Sequence, residues 1–196
     1  MNKGRLHNPD RQYMLGFFLC AALFIAGCIA GAVASGALPQ DTPINEFLEP
    51  TTAAGNFGGR FLASLLTTGK FHALVLFFAF SVFGIAAIPA VSALRGFLLC
   101  FAISSILRSY GAAYVPYTLL MFAPEVILAV PALFLLSTHS FVTSCSLLRI
   151  FQPRSSAQPP FFAVFLKRAA LVLALLCLSA LIDAAAAPWL ATHFVK

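Results

Sequence analysis

Long apolar runs without a charged side chain constrain the fold of this sequence more than any other feature. The first run, residues 14–37, has 24 residues and no charge, which is enough for a helix to cross the ~30 Å hydrocarbon core of a bilayer. Similar runs recur almost to the C-terminus. With 61% hydrophobic and 9% charged residues, the chain is too apolar for a water-soluble domain of its size. We therefore expect an all-α integral membrane protein.

The runs predict a polytopic bundle of about five transmembrane helices in a single membrane domain, 1–196. The expected spans lie near 14–37, 71–91, 92–109, 116–137 and 169–190. An outer loop, 38–70, contains three acidic residues, and its second half has the spacing of a short interfacial helix. A polar, basic segment, 138–168, contains no acidic residue and is expected to be a cytoplasmic loop.

Two of these spans have alternative interpretations. The first resembles a cleaved signal peptide in that Ala-Val-Ala at 32–34 precedes Ser35, although its apolar run exceeds the usual ~7–15 residues. Segment 92–109 has an uncharged centre of 12 residues between Arg95 and Arg108. Because arginines near the ends of a span can extend to the headgroups, a tilted hairpin and a partly re-entrant segment are both alternatives for it.

The basic residues predict the orientation in the membrane. Five spans with the N-terminus inside place eight of the twelve Lys and Arg residues in the cytoplasm and four outside. We therefore expect a cytoplasmic N-terminus, an outside C-terminus and a multi-pass location in the cell membrane, with the lipid bilayer as surroundings. The net charge of +6 is clustered in short loops, so we expect no nucleic-acid partner.

The sequence lacks the motifs of the common enzyme classes. There is no HExxH, paired-carboxylate, nucleophile-elbow or nucleotide-binding spacing, and the four histidines are scattered along the chain. The five cysteines are odd in number and include no CxxC pair, so we interpret them as small apolar packing residues. We therefore expect no catalytic residue, no cofactor and no metal site.

Two acidic residues inside the predicted spans are candidate functional residues. Glu125 lies in the fourth span beside Pro124, with Pro131 seven residues further on from that proline, and Asp183 lies in the fifth span. Carboxyl groups at bilayer depth are costly and are usually paired, protonated or functional. One hypothesis is a proton or ion pathway. The other is structural, with Glu125 at a proline break and Asp183 near the outer headgroups.

A stripe of small residues runs along the first span. Gly27, Gly31 and Ser35 recur every four residues, the spacing that lets two membrane helices approach closely. Packing within the chain and binding of a partner helix are both consistent with this pattern. In a scaffold, Gly27 and Gly31 are the residues expected to contact a partner.

Three segments carry a resemblance to a known family. The first is GIAAIP, ending in Pro89 and followed by Arg95 and Gly96. The second is FAPEVILAVPA, residues 122–132, and the third is LIDA, 181–184, followed by Pro188. Together they resemble the stage II sporulation protein M family, whose core motif reads roughly Pro-His-Gly-x-x-Glu-x-Pro-Ala and whose end carries an acid-Ala and a proline.

The chain departs from that family pattern at three positions. Glu125 stands where members often carry His, Ala129 where they often carry Glu, and Asp183 where Glu is usual. The acidic group has thus moved four residues along one helical face. A specific role for this group in proton transfer is therefore not implied by the resemblance.

The resemblance implies a non-enzymatic membrane scaffold for engulfment during sporulation. Family members associate with two cell-wall hydrolases, the stage II sporulation proteins D and P, and help to remodel septal peptidoglycan. It implies a location in the septal or engulfing mother-cell membrane, and leaves the oligomeric state open. The residues themselves support one alternative, a channel or permease subunit that uses Glu125 and Asp183.

Overall fold

The described residues fold into six α-helices that form five apolar rods. The computed structural model describes residues 9–37, 56–111, 114–150 and 162–194. The helices are α1 (Pro9–Ala37), α2 (Phe57–Ala79), α3 (Gly84–Tyr110), α4 (Val115–Pro124), α5 (Val130–Ile150) and α6 (Phe162–Phe194). A π-helical turn, Glu125–Ala129, joins α4 to α5 without a break.

Five helical stretches are long and apolar enough to cross a membrane. They are Arg11–Ala37, Phe57–Ala79, Gly84–Tyr110, Val115–Leu148 and Phe165–Ala186. All regular structure in the described residues is helical. The prediction of an all-α membrane protein with about five spans is confirmed.

The second span begins earlier than the sequence predicted. The segment assigned to an interfacial helix is the first half of α2, which continues to Ala79. Its polar residues misled the prediction because they face other helices: Ser64 hydrogen-bonds to α6 and Thr68 is buried. Residues 38–55 of the predicted outer loop lie outside the described part of the chain.

The break between the second and third spans lies at residues 80–83, not at 91. Ser81 organises this turn: its backbone N–H donates to the Phe78 carbonyl at 3.1 Å, and its carbonyl accepts from the Gly84 N–H at 3.0 Å. Pro89 is the sixth residue of α3, so the Ile85 carbonyl lacks the N–H partner that a regular helix would supply. With 27 residues, α3 is about 40 Å long, so residues 92–109 belong to one continuous helix that is long enough to cross a membrane.

The polar segment after residue 137 continues as helix instead of forming a loop. The hydroxyls of Thr138, Thr143 and Ser146 donate to the carbonyls four residues earlier, at 2.8–2.9 Å. These polar groups therefore need no water, and α5 extends to Ile150. The predicted cytoplasmic loop 138–168 is correspondingly too long, since α6 already begins at Phe162, and residues 151–161 are outside the described ranges.

The rods pack around α5. This helix contacts α1, α2, α3 and α6, and the closest helix pair is α1 with α3. The core of the bundle is apolar and consists of Cys20, Phe71, Val75, Ile88, Val91, Ala129, Ala132, Leu133, Leu136, Val172 and Leu176.

Glycines allow α1 and α3 to touch backbone to backbone. A Cβ on Gly27 would overlap the Ala93 carbonyl, and one on Gly31 would overlap the Phe97 carbonyl. Gly96 of α3 is equally close to the Phe24 carbonyl of α1. The small-residue stripe therefore packs within the chain. The expectation that Gly27 and Gly31 contact a partner helix is wrong, because α3 already covers both.

A charged side chain of α3 hydrogen-bonds to the C-terminal end of α1. The guanidinium of Arg108 donates to the Ser35 carbonyl at 2.5 Å, and the buried Ser35 hydroxyl donates to the Ala32 carbonyl at 2.9 Å. A cation at the last carbonyls of a helix satisfies groups that have no partner within the helix. Ser35 thus belongs to the α1–α3 contact.

Candidate functional site: a buried charge cluster

An ion pair lies inside the bundle, between α3 and the π-helical turn. Nη2 of Arg95 contacts Oε1 of Glu125, and the two side chains are only 8% and 15% exposed. The Phe71 ring of α2 covers the guanidinium, with 4.7 Å between Cζ and the ring centroid. The cation is therefore neutralised on one side by a carboxylate and covered on the other by an aromatic face.

The position of Arg95 corrects the sequence-based expectation. The residue lies near the middle of α3, eleven residues from its start, and its side chain is buried. It does not extend to the headgroups, because Glu125 provides a counterion at the same depth. Both charges are evident in the sequence, but no pattern indicates that two residues 30 positions apart meet in the bundle.

Local backbone geometry at the two prolines places Glu125 in the bundle. Pro124 ends α4, and the Val130 N–H bonds to the Glu125 carbonyl, five residues earlier, which closes a π-type turn. Pro131 follows directly and has no N–H to continue the regular pattern. Such turns insert one residue into a helix and are frequent at functional sites. The prolines were predicted to disturb this span, and the π-turn lies between them.

A second acid, Asp183 of α6, belongs to the same cluster. The Ser64 hydroxyl of α2 donates to Asp183 Oδ2 at 2.8 Å, and the positive charge of Arg95 acts on this carboxylate. Asp183 is part-buried against α2, three residues before the end of the apolar stretch Phe165–Ala186. Its position near the outer headgroups stays a prediction.

His72 also belongs to the cluster, and the sequence did not point to it. The side chain is buried, and Nδ1 lies 3.2 Å from the Thr68 carbonyl, one helical turn away. Nε2 is buried without a hydrogen-bond partner among the described residues, and the ring lies next to the Ala129 backbone of the π-turn. A scattered histidine gives no signal by itself. Its neighbour Phe71 stacks on Arg95, a contact that only the structure reveals.

The structure brings together only some of the predicted candidates. Arg95, Glu125 and Asp183 form the charge cluster, with Pro124 and Pro131 on either side of the turn. Pro89 is buried in the same helix as Arg95, and Gly96 faces α1. Pro188 lies within α6, but its side chain is not among those described.

The geometry favours a structural role for the cluster. Its ion pair joins α3 to the π-turn, with Phe71 of α2 over the cation, and its hydrogen bond joins α2 to α6, so four of the five rods are involved. Within the described ranges, no three His, Cys, Asp or Glu side chains converge as a metal site would require. Buried charge pairs contribute little net stability but strongly disfavour arrangements in which one partner is left alone. Our hypothesis is therefore that the cluster favours one alignment of the helices.

The hydroxyl of Ser64 provides a direct test of the α2–α6 connection. We expect Ser64→Ala to lower the free energy of unfolding by about 1.5–3 kcal/mol, because a hydrogen bond to a charged group is lost in a water-poor site. Thr67→Ala is the matched control, since Thr67 is exposed and bonds only to the Ala63 carbonyl of its own helix. Unfolding in mixed micelles, followed by circular dichroism, measures both. Equal effects of the two changes would contradict this role for Ser64.

Comparison with known proteins identifies a family that covers most of the chain. The family model described as stage II sporulation protein M matches residues 20–188. This range includes every member of the charge cluster and the glycines of the α1–α3 contact. Neither a curated protein nor a solved structure matches the chain significantly. The chain belongs to the stage II sporulation protein M family, and its described part has the five apolar rods of a multi-pass membrane protein.

Proposed function

We propose that this protein is a non-enzymatic scaffold that recruits or organises cell-wall hydrolases, so that septal peptidoglycan is remodelled as the mother-cell membrane engulfs the forespore. Membership of a sporulation family supports this proposal. The partners are membrane-anchored hydrolases of the kind of stage II sporulation proteins D and P. The location is the septal or engulfing membrane, with the N-terminus in the cytoplasm and the C-terminus outside.

The observation that carries the proposal is the internal use of the polar residues. Arg95 pairs with Glu125 and Ser64 hydrogen-bonds to Asp183, both between helices, and the outside of the rods has mainly apolar side chains. The exposed side of α1 is an example, with Leu15, Phe18, Ile29 and Val33 each more than 60% exposed. A surface of this kind suits lipid and the single helices of membrane-anchored partners.

The experiment starts from a strain that lacks the gene. We expect engulfing membranes to stall in that strain, and a tagged wild-type copy to restore engulfment and to retain both hydrolases during purification from sporulating cells. Normal engulfment without the gene, together with recovery of neither hydrolase, would contradict the proposal.

A channel or permease subunit is the second candidate, and the buried acids favour it. Glu125 begins a π-turn in the predicted fourth span and Asp183 lies in the predicted fifth span, and transporters use acids of this kind beside irregular helix. This function predicts ion or proton flux in liposomes that Glu125→Gln lowers. The direct pairing of Glu125 with Arg95 argues for the scaffold, because a carboxylate held by a counterion is poorly placed to release and rebind an ion. Absence of flux above that of empty liposomes would remove this candidate.

A further inference from the structure

A second polar cluster lies far from the first, where α1, α5 and α6 meet. Nη1 of Arg168 on α6 lies 2.6 Å from the ring nitrogens of His139 on α5. The Tyr13 ring of α1 stands edge-on to the same imidazole, with 5.0 Å between the centroids. His139 follows Glu125 by 14 residues, so the two clusters are about 20 Å apart along the helix.

The charge of this second cluster is not balanced by the described side chains. A guanidinium can only donate hydrogen bonds and has five N–H groups, and the imidazole of His139 accepts from part of this set. The two carboxylates whose side chains the structure describes, Glu125 and Asp183, belong to the distant cluster. Lys167 adds an exposed positive charge beside Arg168. A half-buried guanidinium with several N–H groups can bind an anion here.

The surface next to the cluster is apolar and faces the membrane. Pro131, Leu135 and His139 recur every four residues on one side of α5, and both Pro131 and Leu135 are exposed. α1 and α6 each pack on α5, so this side of α5 forms the floor of a groove between them. The groove therefore has a basic end at Arg168 and an apolar floor that continues toward the middle of the span.

We infer that this groove binds an anionic phospholipid, with the headgroup phosphate on Arg168 and an acyl chain over Leu135 and Pro131. The planar guanidinium matches a phosphate through two parallel hydrogen bonds. His139 fixes the orientation of this fork, and Tyr13 fixes the imidazole. Basic pockets between membrane helices bind acidic headgroups in this way. The lipid site does not depend on the proposed scaffold function.

Lipid retention tests the site in the full chain. The protein is reconstituted in vesicles of equal parts phosphatidylglycerol and phosphatidylcholine and purified in mild detergent, and the bound lipids are quantified by mass spectrometry. We expect phosphatidylglycerol to be enriched roughly tenfold, the effect of about one charge-assisted hydrogen bond. Arg168→Gln should abolish the enrichment, whereas Arg168→Lys should keep part of it because the charge remains but the fork is lost.

Lys167→Gln is the matched control, since it removes the same charge from the neighbouring residue. If basic residues are only generally attracted to an anionic surface, both glutamine variants should lose enrichment equally, by roughly fivefold each. That result would overturn the inference. Equal retention of the two lipids by the wild type would also overturn the inference. So would a rise in the unfolding temperature of the protein with inorganic phosphate that equals the rise with phosphatidylglycerol. If Arg168→Gln fails to fold, the comparison of Arg168→Lys with Lys167→Gln decides: a larger loss in Arg168→Lys supports the site, and an equal or smaller loss overturns it.

Discussion

Replacing Arg95 by Met, or Glu125 by Leu, is expected to lower the free energy of unfolding by about 3–5 kcal/mol. Each change leaves the other charge buried between α3 and the π-turn without its counterion. Arg95→Met also removes the cation from Phe71 and from the neighbourhood of Asp183, so it should be the more damaging of the two. Unfolding of the purified protein in mixed micelles, followed by helical circular dichroism, measures both effects.

The double variant Arg95→Met with Glu125→Leu separates pairing from the presence of charge. With both charges absent, apolar side chains of similar size fill the site, and we expect stability within about 1.5 kcal/mol of the wild type. The double-mutant cycle should therefore be strongly non-additive. Additive losses would show that the two residues contribute independently, and would contradict a role for their pairing in aligning the helices.

Gly31→Leu is expected to separate α1 from α3 and to prevent accumulation of folded protein. Any Cβ at this position overlaps the Phe97 carbonyl, and backbone atoms cannot move aside as a flexible side chain would. Overpacking typically costs about 1–3 kcal/mol, and a backbone overlap in the closest helix pair should cost at least that. The yield of monodisperse protein and its thermal unfolding measure the effect.

Gly36→Leu is the matched control for this prediction, because it lies on the same helix and faces open space. It should behave as the wild type. If Gly31→Leu and Gly36→Leu accumulate and unfold alike, the close α1–α3 contact is not what holds the pair together. Gly31→Leu that folds normally but loses its partners would restore the partner-helix hypothesis for the stripe.

The number of spans could be predicted because it depends on one property, the length of charge-free apolar sequence. Residues 14–37 form a helix that is long enough to span a bilayer, however the other helices pack against it. The boundaries of α2 and α5 could not be predicted in the same way. Ser64 and Thr138 count as polar in a sequence whether they face water or a partner inside the bundle, and the structure shows that they face inward or bond to the helix itself.

The two acidic residues of the charge cluster could be predicted from the sequence, but their contacts could not. Glu125 and Asp183 stood out because acids at bilayer depth are rare. Their partners depend on how helices align in space: Arg95 is 30 residues before Glu125, and Ser64 is 119 residues before Asp183. His72 lacked any sequence signal because a single buried histidine has no characteristic spacing.

These contacts connect the fold to the proposed function. A scaffold needs a bundle whose helices keep one alignment, and the Arg95–Glu125 pair with the Asp183–Ser64 bond links four rods. A transporter needs those same charges for chemistry, so the two candidates differ in what happens when the charges are replaced by apolar groups.

The most direct test is therefore complementation of engulfment by the double variant Arg95→Met with Glu125→Leu. The variant is expressed in the strain that lacks the gene, at the level of the wild type, and membrane migration around the forespore is followed by fluorescence microscopy. For a scaffold, we predict that engulfment and recovery of the hydrolases are both restored. A variant that folds as stably as the wild type but fails to restore engulfment would contradict the scaffold role, because the charges themselves would then be required.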